Sequence, residues 1–385
     1  MRLSRAPAGR EQGVSFRRGK GSNRLVIAVF GAIVILLIAV YVSLSTPFSP
    51  GGLAEPAKGA PTPTAQPVDH FERAEGFLAE GLLDQAMDSY RQAVENDPSN
   101  AQAYAQWARV LIMRERPKEA VLRAQKAVEL DQQKAEYHAI LGLAYDWSND
   151  YAKAVEACQK AISLSPNYAG GYAALAEAYA DSGQPDQAVN QAKKAVALDE
   201  KSADSHRALG YAYQAVGNFR DAEAEYKKAI ELSPNLSYYR LTLARLYRRT
   251  AQIDSALAEY QRVIELEPAS PLGFEGKAMT LYEQKKYEEA IALFKEAAAL
   301  DPERAQTQQY LGWSHYLLGQ YDLAVPYFQA AVNIDPTRAE SYNGLGWSYY
   351  GQKEYDQARE AFEQALKINP NLEGAQSGLK AVEGQ

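Results

Sequence analysis

Ala339-Glu340-Ser341-Tyr342-Asn343-Gly344-Leu345-Gly346-Trp347-Ser348-Tyr349-Tyr350 opens a 34-residue unit that closes at Pro370-Asn371-Leu372, and one plan of this length fills the chain nine times from Pro67 to Leu372 without insertion. Strict periodicity of this kind means stacked supersecondary units. The twentieth place of every unit is alanine: Ala86, Ala120, Ala154, Ala188, Ala222, Ala256, Ala290, Ala324 and Ala358. The eighth is Ala or Gly: Ala74, Ala108, Gly142, Ala176, Gly210, Ala244, Ala278, Gly312 and Gly346. Two small residues per unit mark a crossing of two helices, because anything larger than a methyl would drive their axes apart.

Each unit also carries apolar residues at helical spacing, as in Leu311, His315, Tyr321, Ala324, Phe328 and Ala331, so one unit reads as one amphipathic helix pair. Gly81, Gly183, Gly217 and Gly319 fall where the first helix ends and favours a left-handed residue. Pro98, Pro166, Pro234, Pro268, Pro302, Pro336 and Pro370 fall where the second helix stops, with Gln132 and Glu200 in their place in two units.

These positions together resemble the tetratricopeptide repeat. Tyr310–Tyr316 and Tyr342–Tyr350 resemble its first helix, and Tyr355-Asp356-Gln357-Ala358 through Ala365 to Pro370 its second. The resemblance implies an all-α, right-handed superhelical solenoid of nine helix-turn-helix repeats, with first helices on the concave side. Asn96, where most repeats have Leu or Ile, and the small Ala124 are departures in repeats one and two. Residues 373–385, with Ala375, Leu379 and Val382 on one stripe, read as a capping helix.

The amino-terminal region is of another kind. Residues 1–24 form a basic tail with Arg2, Arg5, Arg10, Arg17, Arg18, Lys20 and Arg24 against Glu11, a net of plus 6, so the rest of the chain carries minus 13 of the total of minus 7. Leu25 to Val42 is 18 residues without charge, and residues 25–45 are expected to be a transmembrane helix. Arg17-Arg18 and Ser43-Leu44-Ser45 faintly resemble a cleaved secretory signal, but the apolar run exceeds the about 7 to 15 residues of such a signal. Basic residues before the span and none after it until Lys58 keep the tail cytoplasmic and put the repeats outside, in a bacterial host outside the inner membrane. A eukaryotic organelle anchor would reverse that environment. Residues 46–66, with Pro47, Pro50, Pro56, Pro61 and Pro63, read as a disordered, semi-stiff tether.

An acidic array argues against a nucleic-acid partner, which needs clustered positive charge. The single Cys158 excludes an intramolecular disulfide and a cysteine metal site. His70, His138 and His206 share the fourth place of their repeats and His315 takes an eleventh, which spaces them along the solenoid as packing residues. With no phosphate loop or nucleophile elbow, an enzyme and a cofactor are not expected. The expectation is a scaffold that binds protein or extended peptide in its groove, with a chaperone-like holder of unfolded chains or a glycan-binding module as alternatives.

The places free of packing on the first helix are the second, fifth, ninth, twelfth and thirteenth. They hold Arg207, Tyr211, Arg245, Arg248 and Arg249 in repeats five and six, a basic patch expected to suit apolar and acidic peptide segments unless Asp204, Glu275 and Glu283 neutralise it. Repeats seven to nine hold Met279 and Tyr282, Trp313 and Tyr316, and Trp347 and Tyr350, a candidate aromatic ladder. Trp313 and Trp347 replace the small polar residue usual in the family. A carboxylate clamp is not supported, because Arg207 is followed by Tyr211 where the family's clamp has asparagine, and no asparagine ladder occupies the sixth place.

Overall fold

The computed structural model describes residues 69–385. The expected tail, transmembrane helix and tether all lie outside these residues. Among the described residues no helix is long and apolar enough to cross a membrane.

The described chain is an all-α solenoid of 19 helices, two to each repeat and a last one, Glu373–Glu383. First helices such as Ala135–Trp147 and second helices such as Tyr151–Leu164 alternate, and each packs mainly on its sequence neighbours. The fifteenth place of all nine repeats ends the first helix in the left-handed region. Gly81, Gly183, Gly217 and Gly319 take φ of 73 to 80°, whereas Glu115, Asn149, Ala251, Lys285 and Lys353 take 57 to 67° despite their side chains. Two of the fourth-place histidines hold the preceding turn. His138 and His206 each place Nε2 3.0 Å from the carbonyl of Gln132 and Glu200, the two residues that replace the stop proline.

First and second helices bury different fractions of their surface. In Ala135–Trp147 Tyr137, His138, Ala139, Ile140, Leu141, Gly142, Ala144 and Asp146 are all buried, while Pro117–Leu130 buries only Ala120, Ala124 and Ala127. First helices pack on one another from repeat two to repeat five and from repeat six to repeat nine, and second helices do not, which puts the first helices on the inside of the curve.

How tightly the array curves is set at the twenty-fourth place of the repeat, on the second helix. In six repeats this residue is a buried aromatic, Tyr90, Tyr226, Tyr260, Phe294, Phe328 or Phe362. It lies over the small eighth residue of its own repeat: a methyl added to Gly346 would stand 2.6 Å from the Phe362 ring. The same ring reaches the next first helix, as Phe328 does at Gly344 and Phe362 at Gly378. The aromatic is thus a wedge that holds consecutive first helices apart. Repeats two, three and four carry Ala124, Cys158 and Ala192 instead, all fully buried, and only from repeat two to repeat five do the first helices pack intimately. Alanine and glycine in Ala169–Asp181 let them do so.

Three successive missing wedges wind this half tightly enough to meet itself. One buried apolar cluster runs from Leu78, Trp107 and Tyr137 of repeats one to three to Ala229, Tyr238 and Tyr239 of repeats five and six. Asn235 Nδ2 donates to the Ala79 carbonyl at 3.3 Å. The last helix lays Ala375, Leu379 and Val382 on Phe362 and covers the end of repeat nine.

Candidate functional site: the inner wall

The wall positions of repeats five and six face the closed half of the array. Arg207, 5% exposed, is ion-paired with Glu177 of repeat four, and its guanidinium carbon stands 4.9 Å from the Tyr238 ring centre. The Tyr211 hydroxyl donates to Asp181. Arg245 pairs with Glu115 of repeat two, and Arg248 with Glu283. Arg249 is exposed, 5.9 Å from the centre of the Phe219 ring. The expected basic patch is therefore corrected in one respect. Arg207, Arg245 and Arg248 are neutralised within the chain and do not stand ready for acidic segments.

Of the three carboxylates expected to neutralise this patch, only Glu283 pairs with a patch arginine. Asp204 accepts from Arg109 at 2.6 Å and from the Tyr239 hydroxyl at 2.8 Å. Burial opposes its charge, but Arg109 and Arg207 outweigh burial and hold its carboxyl below the usual range. Glu275 takes Arg304 Nε at 2.8 Å.

These ion pairs form a clasp. At the turn of repeat two, Arg114 pairs with Glu267 of repeat six and stands 2.9 Å from Asp84 of repeat one. Its neighbour Glu115 pairs with Arg245 and, at 3.2 Å, with Arg304 of repeat seven. Burial would raise the Glu115 carboxyl, yet the two guanidiniums hold it below the ordinary value. Beside the clasp is a cleft of about 650 Å³ whose walls include Arg116, Glu303 and Arg338.

Repeats seven to nine keep their wedges; repeat seven takes part in the clasp through Arg304, and its Met279 shares a pocket with Glu115 and Arg245, whereas repeats eight and nine lie beyond it. Met279, Tyr282, Trp313, Tyr316, Trp347 and Tyr350 are all half-buried on first helices at the array's spacing. Within each repeat the rings meet edge to face. Trp313 contacts Tyr316 at 5.5 Å and Phe328 at 5.1 Å, and Trp347 contacts Tyr350 at 5.7 Å and Phe362 at 5.3 Å. Trp347 Nε1 also donates to the Gly374 carbonyl at 3.2 Å. The two tryptophans thus lie against the wedge of their own repeat, which accounts for part of their bulk, and present the remainder. Tyr282 packs edge to face on Tyr287 and Tyr310 at 5.5 and 5.3 Å.

The same wall also has an acidic part, absent from the expected site residues. Asp146 at the twelfth place of repeat three, and Glu177 and Asp181 at the ninth and thirteenth places of repeat four, stand together. The places that gave the arginines would have given these residues too. Among the described residues no three His, Cys, Asp or Glu side chains are disposed to hold a metal ion. Cys158 is fully buried, and burial raises its thiol pKa.

A solenoid of helix pairs with a small-residue crossing, a left-handed turn and a side-chain-lined inner wall is a repeat scaffold. Family models of the tetratricopeptide repeat match residues 77–144, 135–168, 157–190, 177–217, 203–236, 241–305, 305–338 and 339–372, and the chain is built of tetratricopeptide repeats. No curated protein matches it in sequence. Among solved structures it resembles a chain of the crystal structure titled APC/C hetero-tetramer Cut9-Hcn1, with 19% identity and a TM-score of 0.58. The alignment covers 81% of this chain and 62% of that one, so the present chain spans less than two thirds of its length, and the likeness is one of fold.

Proposed function

We propose that the protein is a membrane-anchored scaffold that binds partner polypeptides on the inner wall of its repeat array, by association and without turnover. The observation that carries the reading is the row of half-buried aromatic and Met side chains in repeats seven to nine, most of it beyond the clasp. Rings supply large contact area at little conformational cost, and a row at constant spacing suits an extended chain. Anchoring through residues 25–45, with the repeats on the outer side of a bacterial inner membrane in an envelope assembly or secretion process, rests on the uncharged run and the basic flank.

Two measurements test this reading. Tyr316→Ala with Tyr350→Ala removes ladder surface and spares both tryptophans and the phenylalanine wedges. Affinity for peptides that bind the wild type is expected to fall at least about tenfold, by loss of roughly 1.5 kcal/mol of aromatic contact, with helicity unchanged. Unchanged affinity removes the ladder from the binding surface. For topology, protease added to intact spheroplasts is expected to digest a carboxy-terminal tag and spare an amino-terminal one. Protection of the repeats until the membrane is broken would overturn the placement.

A further inference from the structure

The inner wall of repeats three to six encloses a cavity of about 290 Å³ whose lining includes Asp146, Trp147, Glu177, Asp181, Arg207 and Tyr211. Asp181 is exposed, whereas Asp146, Glu177 and Arg207 are buried, so the cavity runs from solvent to a charged floor. Arg207 is committed to Glu177, and Arg245, also in the lining, is committed to Glu115. Two carboxylates remain. Asp181 accepts from Tyr211, and Asp146, only 3% exposed, has its Oδ1 without a hydrogen-bond partner. An unsatisfied, solvent-excluded carboxyl oxygen costs free energy that a donor entering the cavity recovers.

We propose that this cavity receives a cationic side chain, arginine or lysine, of a polypeptide laid along the inner wall. Asp146 and Asp181 supply the countercharge, and the Trp147 ring covers the side chain's apolar stem. The proposal rests on the reading of the array as a polypeptide-binding scaffold, and names the chemistry of one anchor residue. The sign is opposite to that expected of a basic patch at Arg207 and Arg245, which are already paired.

Binding is coupled to a proton. The charged and titratable groups facing Asp146 are Glu177 and Asp181 from repeat four, Arg207 and Tyr211 from repeat five, and Cys158 and Tyr151 from the second helix of repeat three, with Arg245 at the cavity edge. Burial first, then Asp181 and Glu177, push the Asp146 carboxyl up to about 9, against the opposing pull of Arg207. It therefore holds a proton at neutral pH, and a guanidinium or ammonium entering beside it replaces that proton, which passes to buffer. Affinity should rise with pH up to the range where Asp146 is ionised.

The test uses the full-length chain in non-ionic detergent and extended peptides that differ only in one central residue: arginine, lysine, citrulline, norleucine or glutamate. The arginine and lysine peptides are expected to bind at least about tenfold more tightly than the citrulline and norleucine peptides, the effect of one charge-assisted hydrogen bond. Asp146→Asn, nearly isosteric with the protonated acid, and Asp181→Asn should each abolish that preference. Calorimetry in two buffers of different ionisation enthalpy should report proton release with the wild type and none with Asp146→Asn. Binding of the peptides without a cation preference, or a preference that survives both variants, overturns this inference and leaves the scaffold reading standing. Binding of none of the peptides overturns both.

Discussion

Glu115→Lys is expected to open the array. Glu115 is held by Arg245 and Arg304, and Arg304 contacts it at 3.2 Å. Replacing it by lysine sets three positive groups together at the one turn where repeat two touches repeats six and seven. Removing one partner of a buried pair costs about 3–5 kcal/mol. The Arg245 side chain is 39% exposed, so roughly 2–3 kcal/mol is the more reasonable loss after solvent screening. Backbone strain does not confuse the result, because Lys285 and Lys353 already occupy the same left-handed turn position at φ of 60° and 67°. The radius of gyration from small-angle scattering should increase, with helicity retained, since neighbouring repeats still stack on one another. Adding Arg245→Glu should restore much of the compactness by returning an opposite charge. An unchanged radius would mean that the buried apolar cluster centred on Trp107, Tyr137 and Tyr239 holds the closure without the clasp.

The twenty-fourth place is expected to respond in opposite ways on the two sides of the array. Ala192→Phe puts a wedge where Ala192 now packs in one buried cluster with Ala176 of its own repeat and with Leu209 and Ala212 of the first helix of repeat five. Overpacking of this kind costs about 1–3 kcal/mol, and the angle it adds is carried over all later repeats, so the clasp should separate and scattering should report a wider array. The ring is not foreign to the repeat: Tyr260 and Phe294 sit at the same place over Ala244 and Ala278. Phe328→Ala, by contrast, removes a fully buried ring that fills the space over Gly312 and Gly344. The loss should be about 3–5 kcal/mol, read as a lowered thermal midpoint. Its first effect should be faster amide exchange in repeats eight and nine, because a repeat array loses stability locally before it loses it everywhere. Equal responses at Ala192 and Phe328 would refute the wedge as the determinant of curvature.

Much of the fold is visible in residues that repeat. The alanines of the twentieth place, the small eighth place and the turn at Gly81, Gly183, Gly217 and Gly319 each answer a local steric demand, and local demands recur wherever the unit recurs. Closure is not local. It arises from a small angular change at three consecutive interfaces, and its signal is the run Ala124, Cys158, Ala192 at a place that is aromatic in the other six repeats. The smallness of Ala124, taken alone, reads as terminal irregularity; only the three together have a geometric meaning. The candidate site divides in the same way. The spacing of Trp313 and Trp347 with Tyr316 and Tyr350 was legible because it lies within one helix. The commitments of Arg207 to Glu177 and of Arg245 to Glu115 join residues 30 and 130 positions apart, and the second of these depends on the closure itself. Trp313 and Trp347 are intermediate: their departure from the family pattern is plain, but their packing on Phe328 and Phe362 is a fact of tertiary structure.

The central claim is that repeats one and two close on repeats five to seven while repeats eight and nine keep an accessible inner wall. Spin labels at positions 116 and 303, both exposed and both on the cleft beside the clasp, measure it most directly. A single short, narrow distance in the wild type that lengthens in Glu115→Lys is the predicted result. A broad distribution of long distances in the wild type, unaltered by Glu115→Lys, would mean an open spiral and contradict it.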